Sequence, residues 1–352
     1  MNLTLKPVKM ATSSPMVIPT AAPPLNIFTT ISSLRTFRRP LYSTKTLGFV
    51  PTMGALHEGH LSLIRHAASE NDVVVVSIFV NPAQFSPTED LTVYPRTLTS
   101  DLTALESLNA EFGASGVRGR IEALFLPAVA EMYPSGIPLQ ESLQRGAFVT
   151  VQPLASKLEG VSRPHFFRGV ATVVAKLFNI VMPERAYFGQ KDVQQSVILR
   201  RMVKDLQFPV EIKVCSTGRE EDGLAKSSRN VYLGEKRRRV APLLFQALRA
   251  SAMEYERLKS QGGAVEAQKV LEKGLEVLKG ANRMEEGVKV EVEYFNLADS
   301  EDLETLETVV GEKGAILSAA LRMLPSKESE RSVRIIDNII LKWEEWYMER
   351  GF

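Results

Sequence analysis

Two histidines stand three residues apart in the segment PTMGALHEGH, directly after a short apolar run. Pro51 and Gly54 end that run, and a helical pattern begins near His57. The amino terminus of a helix binds phosphate through its free N–H groups and the positive end of its dipole, and side chains three apart share a helical face. The segment therefore predicts a phosphate-binding turn with the imidazoles of His57 and His60 beside it.

Two other interpretations of the histidine pair compete with this one. A zinc site would be the first, but the spacing differs from that of HExxH and no third ligand is near, so we reject zinc. The second is a pair of ordinary surface histidines. The position of the pair after a buried first strand favours a functional role.

A second polar segment, FGQKDVQQ, follows another apolar run and carries Lys191 and Asp192. Ligands of open parallel sheets lie in the crevice outside the carboxyl ends of the strands, so a lysine there can meet phosphates placed by the first turn. A solvated salt bridge between Lys191 and Asp192 is the alternative. Gln194 and Gln195 follow, and each faces either the same crevice or water.

A third polar segment, DGLAKSSRNVYL, combines Lys226, Ser227, Ser228 and Arg229. Small hydroxyls beside two cations favour a mobile phosphate clamp, whose charge-assisted hydrogen bonds would be strongest on a developing pyrophosphate. The basic run at 236–239 is different, since it resembles the solvated face of a helix, and we assign it no catalytic role.

The elements that position these segments alternate between strand and helix. Apolar runs predict strands at 46–50, 73–80, 123–127, 185–189 and 210–216. Helical patterns occupy 31–39, 60–70, 101–112, 169–181 and 193–206. The run VVVVSIFV is apolar at almost every position, as in a strand covered on both faces. The order predicts an α/β fold, a doubly wound Rossmann-like parallel sheet.

The chain changes character beyond about residue 217. Charged helices are predicted at 234–261 and 264–280, and three antiparallel strands at 288–297, 314–323 and 332–341. We therefore predict a nucleotide-binding catalytic domain over 25–217 and a smaller α+β domain with a short antiparallel sheet over 218–352. The Gly-rich segment 113–120 is predicted to be a flexible surface loop.

Composition excludes several classes of protein. With 43 Lys and Arg against 41 Asp and Glu, the 352-residue chain has a formal net charge of +2, too small an excess to favour binding to nucleic acid. No run of 18 apolar residues is present, so we predict a soluble protein without a membrane span. Cys215 is the only cysteine, which excludes an internal disulfide, favours a reducing compartment and predicts a core position.

The first 24 residues contain Lys6 and Lys9, several Ser and Thr, and no acid. This composition suits either a disordered extension or a transit peptide, although transit sequences favour arginine and the first arginine here is Arg35. A cytoplasmic location is predicted, with mitochondrial import as the alternative.

Six ordered motifs resemble those of the pantothenate synthetase (pantoate–β-alanine ligase) family within the HIGH-motif nucleotidyltransferase superfamily. They are PTMGALHEGH, VVVVSIFVNPAQF, DLTVYPRTLTSDL, LEGVSRPHFFRG, FGQKDVQQ and DGLAKSSRNVYL, with a fainter match at RIIDN. VNPAQF and YPRT are particular to this family. The resemblance implies ATP-dependent condensation of (R)-pantoate with β-alanine through a pantoyl adenylate, with Mg²⁺ accompanying the nucleotide and a homodimer as the assembly.

The resemblance also implies roles for individual residues. His60 would be the proton donor, with His57 beside it at the phosphates. The other implied charge stabilisers are Lys191, Ser227, Ser228 and Arg229. Asn81, Gln84 and Gln195 would bind pantoate, Gln84 also facing β-alanine. The implied ATP-binding residues are Met53, Gly54, Ala55, Leu56, His57, Glu58, Gly59, His60, Gly189, Gln190, Lys191, Asp192, Gly218, Lys226, Ser227, Ser228 and Arg229.

Three positions depart from the pattern that the resemblance leads us to expect. Gln190 stands where an acid is usual, Lys226 where an apolar residue is usual, and RPHFFRG places His165 one position early, with Phe166 in its place. Two rival functions are an aminoacyl-tRNA synthetase and a non-catalytic nucleotide-binding protein. The chain lacks the additional anticodon-binding mass that an aminoacyl-tRNA synthetase would normally carry. A non-catalytic nucleotide-binding protein would not require His60, Lys191 and the SSR cluster together.

Overall fold

A six-stranded parallel sheet forms the centre of the computed structural model, which describes residues 25–86, 91, 94–280, 287–310, 314–325 and 330–341. Its strands are β1 (Asn26–Phe28), β2 (Leu47–Thr52), β3 (Val73–Ile78), β4 (Arg120–Phe125), β5 (Arg185–Gly189) and β6 (Glu211–Cys215). They lie in the order β1-β4-β3-β2-β5-β6. The chain winds from β2 towards one edge and returns to β5 on the other side, so the topological switch point lies between β2 and β5. Ligands of doubly wound sheets bind there.

Helices cover both faces of this sheet. They are α1 (Ile31–Arg38), α2 (Glu58–Glu70), α3 (Leu98–Ser115), α4 (Val129–Met132), α5 (Glu159–Ser162), α6 (Phe166–Val181) and α7 (Val193–Asp205). Phe49 packs with the residues of α6 in one core, whereas its neighbour Val50 packs with α2 and α3 in another. Every residue of β3 is buried, as expected for a strand covered on both sides. The predicted doubly wound fold is confirmed.

The later part of the described chain builds a separate hydrophobic core. Its elements are α8 (Gly234–Val240), α9 (Leu243–Lys259), β7 (Val265–Glu266), α10 (Ala267–Lys279), β8 (Val290–Asp299), β9 (Thr308–Val309), β10 (Ala315–Met323) and β11 (Val333–Leu341). β11, β10 and β8 form an antiparallel sheet in that order, and β7 pairs antiparallel with β9. The short antiparallel sheet is confirmed, and the domain boundary between 217 and 218 stays a prediction.

Two local predictions are wrong. The segment 113–120 is not one loop, because α3 continues through Ser115 and β4 begins at Arg120. Its connection is tightly packed, since a Cβ built on Gly119 would lie 2.0 Å from the carbonyl oxygen of Asn71. In the basic run, Arg237 is buried rather than solvated, because its guanidinium donates to the carbonyl oxygens of Tyr232, Leu233 and Arg331.

Other sequence predictions fall on different parts of the chain. Cys215 is buried in the core as predicted, and burial raises the pKa of its thiol to about 12. Within the described ranges, no helix has the length and apolar character needed to cross a bilayer. The segment 1–24 and the tail that carries Trp343 and Trp346 lie outside the described residues.

Candidate active site

The turn after β2 is held by a carboxylate from α3. Gly54 and Ala55 both have positive φ, at 80° and 50°. Asp101, 2% exposed, accepts hydrogen bonds from the backbone N–H groups of Ala55 at 3.0 Å and Leu56 at 2.9 Å. Sequence reasoning missed Asp101, although an acid at the start of the amphipathic helix α3 was visible. The carboxylate stabilises the left-handed turn that delivers the chain to α2.

Substituting Asp101→Asn is expected to loosen this turn. One acceptor oxygen becomes an NH₂ group that faces a backbone donor, and leaving a buried donor unsatisfied costs about 1–3 kcal/mol. We expect the free energy of unfolding to fall by about that amount and the KM for ATP to rise about tenfold. Denaturant unfolding and steady-state kinetics measure both, with Glu106→Gln on the exposed side of α3 as the control. An unchanged KM for ATP would contradict the assigned role.

His57 and His60 form a reciprocal cap at the start of α2. His57 is the N-cap residue, and its Nδ1 accepts from the backbone N–H of Gly59 at 3.1 Å. The Nδ1 of His60 accepts from the backbone N–H of His57 at 3.4 Å, and the ring centroids are 4.2 Å apart. Because each Nδ1 is an acceptor, the hydrogen-bond network assigns the ring hydrogen to Nε2 in both residues. Both imidazoles are thus arranged as Nε2–H donors.

The surroundings keep both rings neutral. Burial, followed by the neighbouring His57, lowers the pKa of His60 to about 3. Burial, followed by the charge of Lys191, also lowers the pKa of His57. In the unliganded protein near neutral pH, the two side chains are therefore hydrogen-bond donors without a positive charge.

This shift of the His60 pKa makes the stability of the protein depend on pH. Because the folded-state pKa lies below the unfolded value near 6.5, the contribution is fully present above pH 6.5 and is lost as the pH falls towards about 3. We expect the free energy of unfolding to decrease less over this range in a His60→Gln variant than in the wild type. Urea unfolding at a series of pH values measures the difference. Parallel curves for the two proteins would argue against the shift.

Lys191 lies in the short 3₁₀ turn that joins β5 to α7. Its Nζ is 3.2 Å from Oδ1 of Asp192, and the two side chains are 16% and 47% exposed, so the lysine is largely enclosed whereas the carboxylate stays open to solvent. Burial opposes ionisation of Asp192, but the charges of Lys191 and then Arg229 outweigh it and hold the pKa of this carboxyl below its usual value. The turn therefore brings a cation beside the imidazoles.

The loop after β6 forms the third side of the candidate site, next to the start of α2 and the Lys191 turn. A Cβ built on Gly218 would lie 3.9 Å from Cα of Gly59, so this loop passes close to the start of α2. The backbone N–H of Lys226 donates to the carbonyl oxygen of Gly218 at 2.9 Å. The charge of Lys226 is one of the causes that lower the pKa of His57.

The SSR cluster continues this loop. The Oγ of Ser227 accepts from the backbone N–H of Arg229 at 3.2 Å, and Ser228 hydrogen-bonds to Tyr94 of the YPRT segment. Ser227 and Arg229 line the same cavity as Lys191 and Asp192, so the cluster lies beside the Lys191 turn. The three polar segments singled out in the sequence thus meet at the switch point between β2 and β5.

Asn81 and Gln84 have different surroundings, although both were expected to bind substrate. Asn81 is 1% exposed, and its Nδ2 donates to Oε1 of Gln84 at 3.0 Å and to the carbonyl oxygen of Gly169 at 3.1 Å. Its Oδ1 accepts from the hydroxyl of Tyr133 at 2.7 Å and from the backbone N–H of Ala83 at 3.3 Å. Asn81 is therefore placed to orient the partly exposed Gln84.

The two adjacent glutamines of α7 also separate. Gln194 is buried, where it accepts from the backbone N–H of Glu159 and donates to the carbonyl oxygens of Leu154 and Lys157. Both glutamines line a cavity of about 150 Å³ together with Lys191, but the amide of Gln194 is already engaged by these three hydrogen bonds. Of the two, Gln195 is the one available to a ligand in this cavity.

Three other residues of the predicted motifs, Glu58, Arg163 and His165, make contacts with other groups of the protein. Glu58 is exposed and pairs with Arg65 at 2.5 Å. The RPHFFRG segment, which departs from the expected pattern, places the guanidinium of Arg163 3.8 Å from the ring centre of Phe166 and 3.4 Å from the carbonyl oxygen of Gln84. On the same segment, His165 pairs with Glu141, which lies earlier in the chain.

Comparison with known proteins decides the family. A family model described as pantoate-beta-alanine ligase matches residues 26–340. The chain belongs to the pantoate–β-alanine ligase family. The family resemblance predicted from the six motifs is therefore confirmed.

Individual relatives and solved structures agree with this assignment. The pantothenate synthetase of Roseiflexus sp. (strain RS-1) is 46% identical over 318 residues, which cover 90% of this chain and 100% of that protein. The pantoate–β-alanine ligase of Saccharomyces cerevisiae is 40% identical, with coverage of 90% and 100%. The crystal structure of pantothenate synthetase from Thermus thermophilus has a TM-score of 0.73 at 40% identity, covering 91% and 100%. The ligase from Francisella tularensis, complexed with beta-gamma ATP and beta-alanine, has a TM-score of 0.64 at 31% identity, covering 93% and 99%.

Proposed function

We propose that this member of the pantoate–β-alanine ligase family catalyses the ATP-dependent condensation of (R)-pantoate with β-alanine to pantothenate, through a pantoyl adenylate, with release of pyrophosphate and AMP. The observation that carries the proposal is the meeting of three segments at the switch point: the α2 start with His57 and His60, the Lys191 turn, and the 226–229 loop. Such a site binds and neutralises a nucleotide triphosphate, which is the requirement of adenylate formation.

The first half-reaction is attack of the pantoate carboxylate on the α-phosphate of ATP. This step depends on in-line placement and on neutralised phosphates more than on a covalent protein nucleophile. The Nε2–H groups of His57 and His60 donate to phosphate oxygens beside the free backbone donors of α2. Lys191, Lys226 and Arg229 stabilise the charge that develops on the leaving pyrophosphate.

Pantoate lies between two glutamines in this proposal. Gln84 and Gln195 present amide groups that can bind its hydroxyl and carboxylate oxygens. The amide of Asn81 is engaged by Gln84, Gly169 and Tyr133, so Asn81 orients the side chain of Gln84.

In the second half-reaction, the amine of β-alanine attacks the acyl carbon of the mixed anhydride, and the bond to AMP breaks. Because AMP is already a good leaving group, positioning of the amine provides most of the catalysis. Gln84, at the edge of the pantoate position, is the residue proposed to face the incoming amine.

Magnesium is proposed to enter with ATP. The described residues contain no group of three or more His, Cys, Asp or Glu side chains that could hold a metal by themselves. Mg²⁺ is usually bound through one or two carboxylates together with substrate phosphates, and the carboxylate of Asp192 beside Lys191 fits that donor set. When bound, the ion would neutralise part of the charge of the phosphates.

We also retain the homodimer and the cytoplasmic location as proposals, both supported by the family assignment alone. Mitochondrial import depended on residues 1–24, which lie outside the described residues, and gains no support from the remainder of the chain. The two-domain division at 217 and 218 is retained in the same way, with a second core built wholly from residues beyond 218 as its support.

The decisive experiment measures pyrophosphate release by the purified protein with ATP, Mg²⁺ and (R)-pantoate, with and without β-alanine. We expect (R)-pantoate to trigger pyrophosphate release and β-alanine to be needed for multiple turnovers with AMP as product. (S)-pantoate is the matched control ligand. Release that ignores pantoate would contradict the substrate assignment, and silent ATP binding would favour a non-catalytic nucleotide-binding protein.

A further inference from the structure

The polar residues of β11 reach the segments that carry the active site. Three residues of the RIIDN segment each contact a different one: Arg334 meets Glu159 near the start of α5, Asp337 meets Arg219 in the loop after β6, and Asn338 meets the turn at Lys191. These contacts extend over 118 to 175 residues of sequence. One strand of the smaller sheet therefore contacts three segments around the nucleotide site.

Asn338 makes the contact closest to the proposed chemistry. It is 1% exposed, and its Nδ2 donates to the carbonyl oxygens of Gln190 and Lys191, each at 2.9 Å. Its Oδ1 accepts from Nε2 of Gln190 at 3.2 Å. The amide thus holds both the backbone of the turn and the side chain of its first residue. This arrangement fixes the direction in which the Lys191 side chain leaves the turn.

The neighbouring contacts hold Asn338 in place. Asp337 accepts the guanidinium of Arg219 at 2.5 and 3.0 Å and also accepts the backbone N–H of Asn338 at 2.8 Å. Arg219 in turn stacks 3.7 Å from the ring centre of Phe245. On the other side, Arg334 donates to Glu159 at 2.5 Å. Two buried or half-buried ion pairs therefore fix β11 on either side of the Lys191 turn.

We propose that Asn338 is a positioning residue for adenylate formation, acting through Lys191. The inference rests on the proposed function and deepens it. Lys191 must meet the phosphates at a fixed distance, and a misplacement of about 1 Å can cost about 10²-fold in rate. The smaller domain thereby contributes to the first half-reaction through the backbone of the Lys191 turn.

The first variant is Asn338→Asp, which keeps the size of the side chain but replaces both donors to the turn with an oxygen. We expect pantoate-dependent pyrophosphate release to fall about 100-fold. We expect AMP release on adding β-alanine to preformed enzyme-bound adenylate to stay within about threefold of wild type, because the pyrophosphate has already left. Rapid-quench kinetics measures the two steps separately.

A matched control lies in the same row of the sheet. Ser318 of β10 pairs with Asn338 on one side and with Asn296 on the other, and Asn296 instead donates to Thr305. Asn296→Asp makes the same chemical change in the same sheet away from the Lys191 turn. We expect this variant to release pyrophosphate at the wild-type rate.

A double-mutant cycle with Lys191→Met separates positioning from general damage. If Asn338 acts through Lys191, then Asn338→Asp in a Lys191→Met background should slow pyrophosphate release by no more than about threefold. Asn338→Ala, which adds no charge, is expected to show the same pattern and replaces Asn338→Asp in the cycle if the latter does not fold.

The results separate the failure of this inference from failure of the proposed function. Wild-type rates in both Asn338 variants, equal loss in the two half-reactions, or additive effects with Lys191→Met would each overturn the positioning role while the wild type remains a ligase. A wild type without pantoate-dependent pyrophosphate release would overturn the proposed function and this inference together.

Discussion

Replacing Lys191 with methionine is expected to lower pantoate-dependent pyrophosphate release about 10³-fold. The ammonium group lies in a site where its side chain is 16% exposed, so it is only partly screened by water. Loss of one donor aimed at developing charge costs about 10²–10³ in rate, and here a full positive charge is lost as well. Methionine matches the apolar part of the lysine side chain as far as Cε and removes the ammonium group with its charge and hydrogen bonds.

The same substitution should spare the second half-reaction. The amine of β-alanine attacks after pyrophosphate has left, so Lys191 no longer faces the charge that it stabilised. We therefore expect AMP release from preformed adenylate to stay within a few-fold of wild type. Lys204→Met, at an exposed position of α7, is the matched control. A Lys191→Met enzyme that releases pyrophosphate within tenfold of the wild-type rate would contradict the assigned role.

The fold was predictable where elements are long and strongly patterned. The strands predicted at 73–80 and 185–189 correspond to β3 and β5, and the alternation of strands with helices determined the doubly wound class. β1 was missed because three residues carry no periodicity, and its pairing with β4 depends on a neighbour almost 100 residues away. β7 and β9, of two residues each, were missed for the same reason.

The segments that face the ligand were predictable from the sequence, but the residues that hold those segments in place were not. Local sequence patterns of helix starts and strand ends predict phosphate-binding turns, which is why the segments with His57 and Lys191 were identified. Asp101 and Asn338 escaped because their function depends on backbone groups supplied by distant segments. Asn81 was named from the motif alone, and its contact with Tyr133 was not visible there because that partner lies 52 residues further along the chain.

The role of His60 is tested by comparing His60→Ala with His60→Gln. Alanine removes the Nε2–H donor and the acceptor that caps α2, and we expect pyrophosphate release to fall about 10³-fold. Glutamine at the third position of a helix accepts from the N-cap backbone N–H in a capping box, and its amide nitrogen remains a donor. We expect His60→Gln to stay within about tenfold of the wild-type rate.

This comparison distinguishes a neutral donor from a proton donor. An amide cannot release a proton between pH 5 and 8, so a glutamine that preserves activity shows that hydrogen bonding to the phosphates is sufficient. The lowered pKa of His60 in the unliganded site, about 3, favours that outcome. Bound phosphates raise this pKa, and a rise to near neutral pH would make the imidazole an acid. In that case His60→Gln would be as slow as His60→Ala, and the neutral-donor assignment would be wrong.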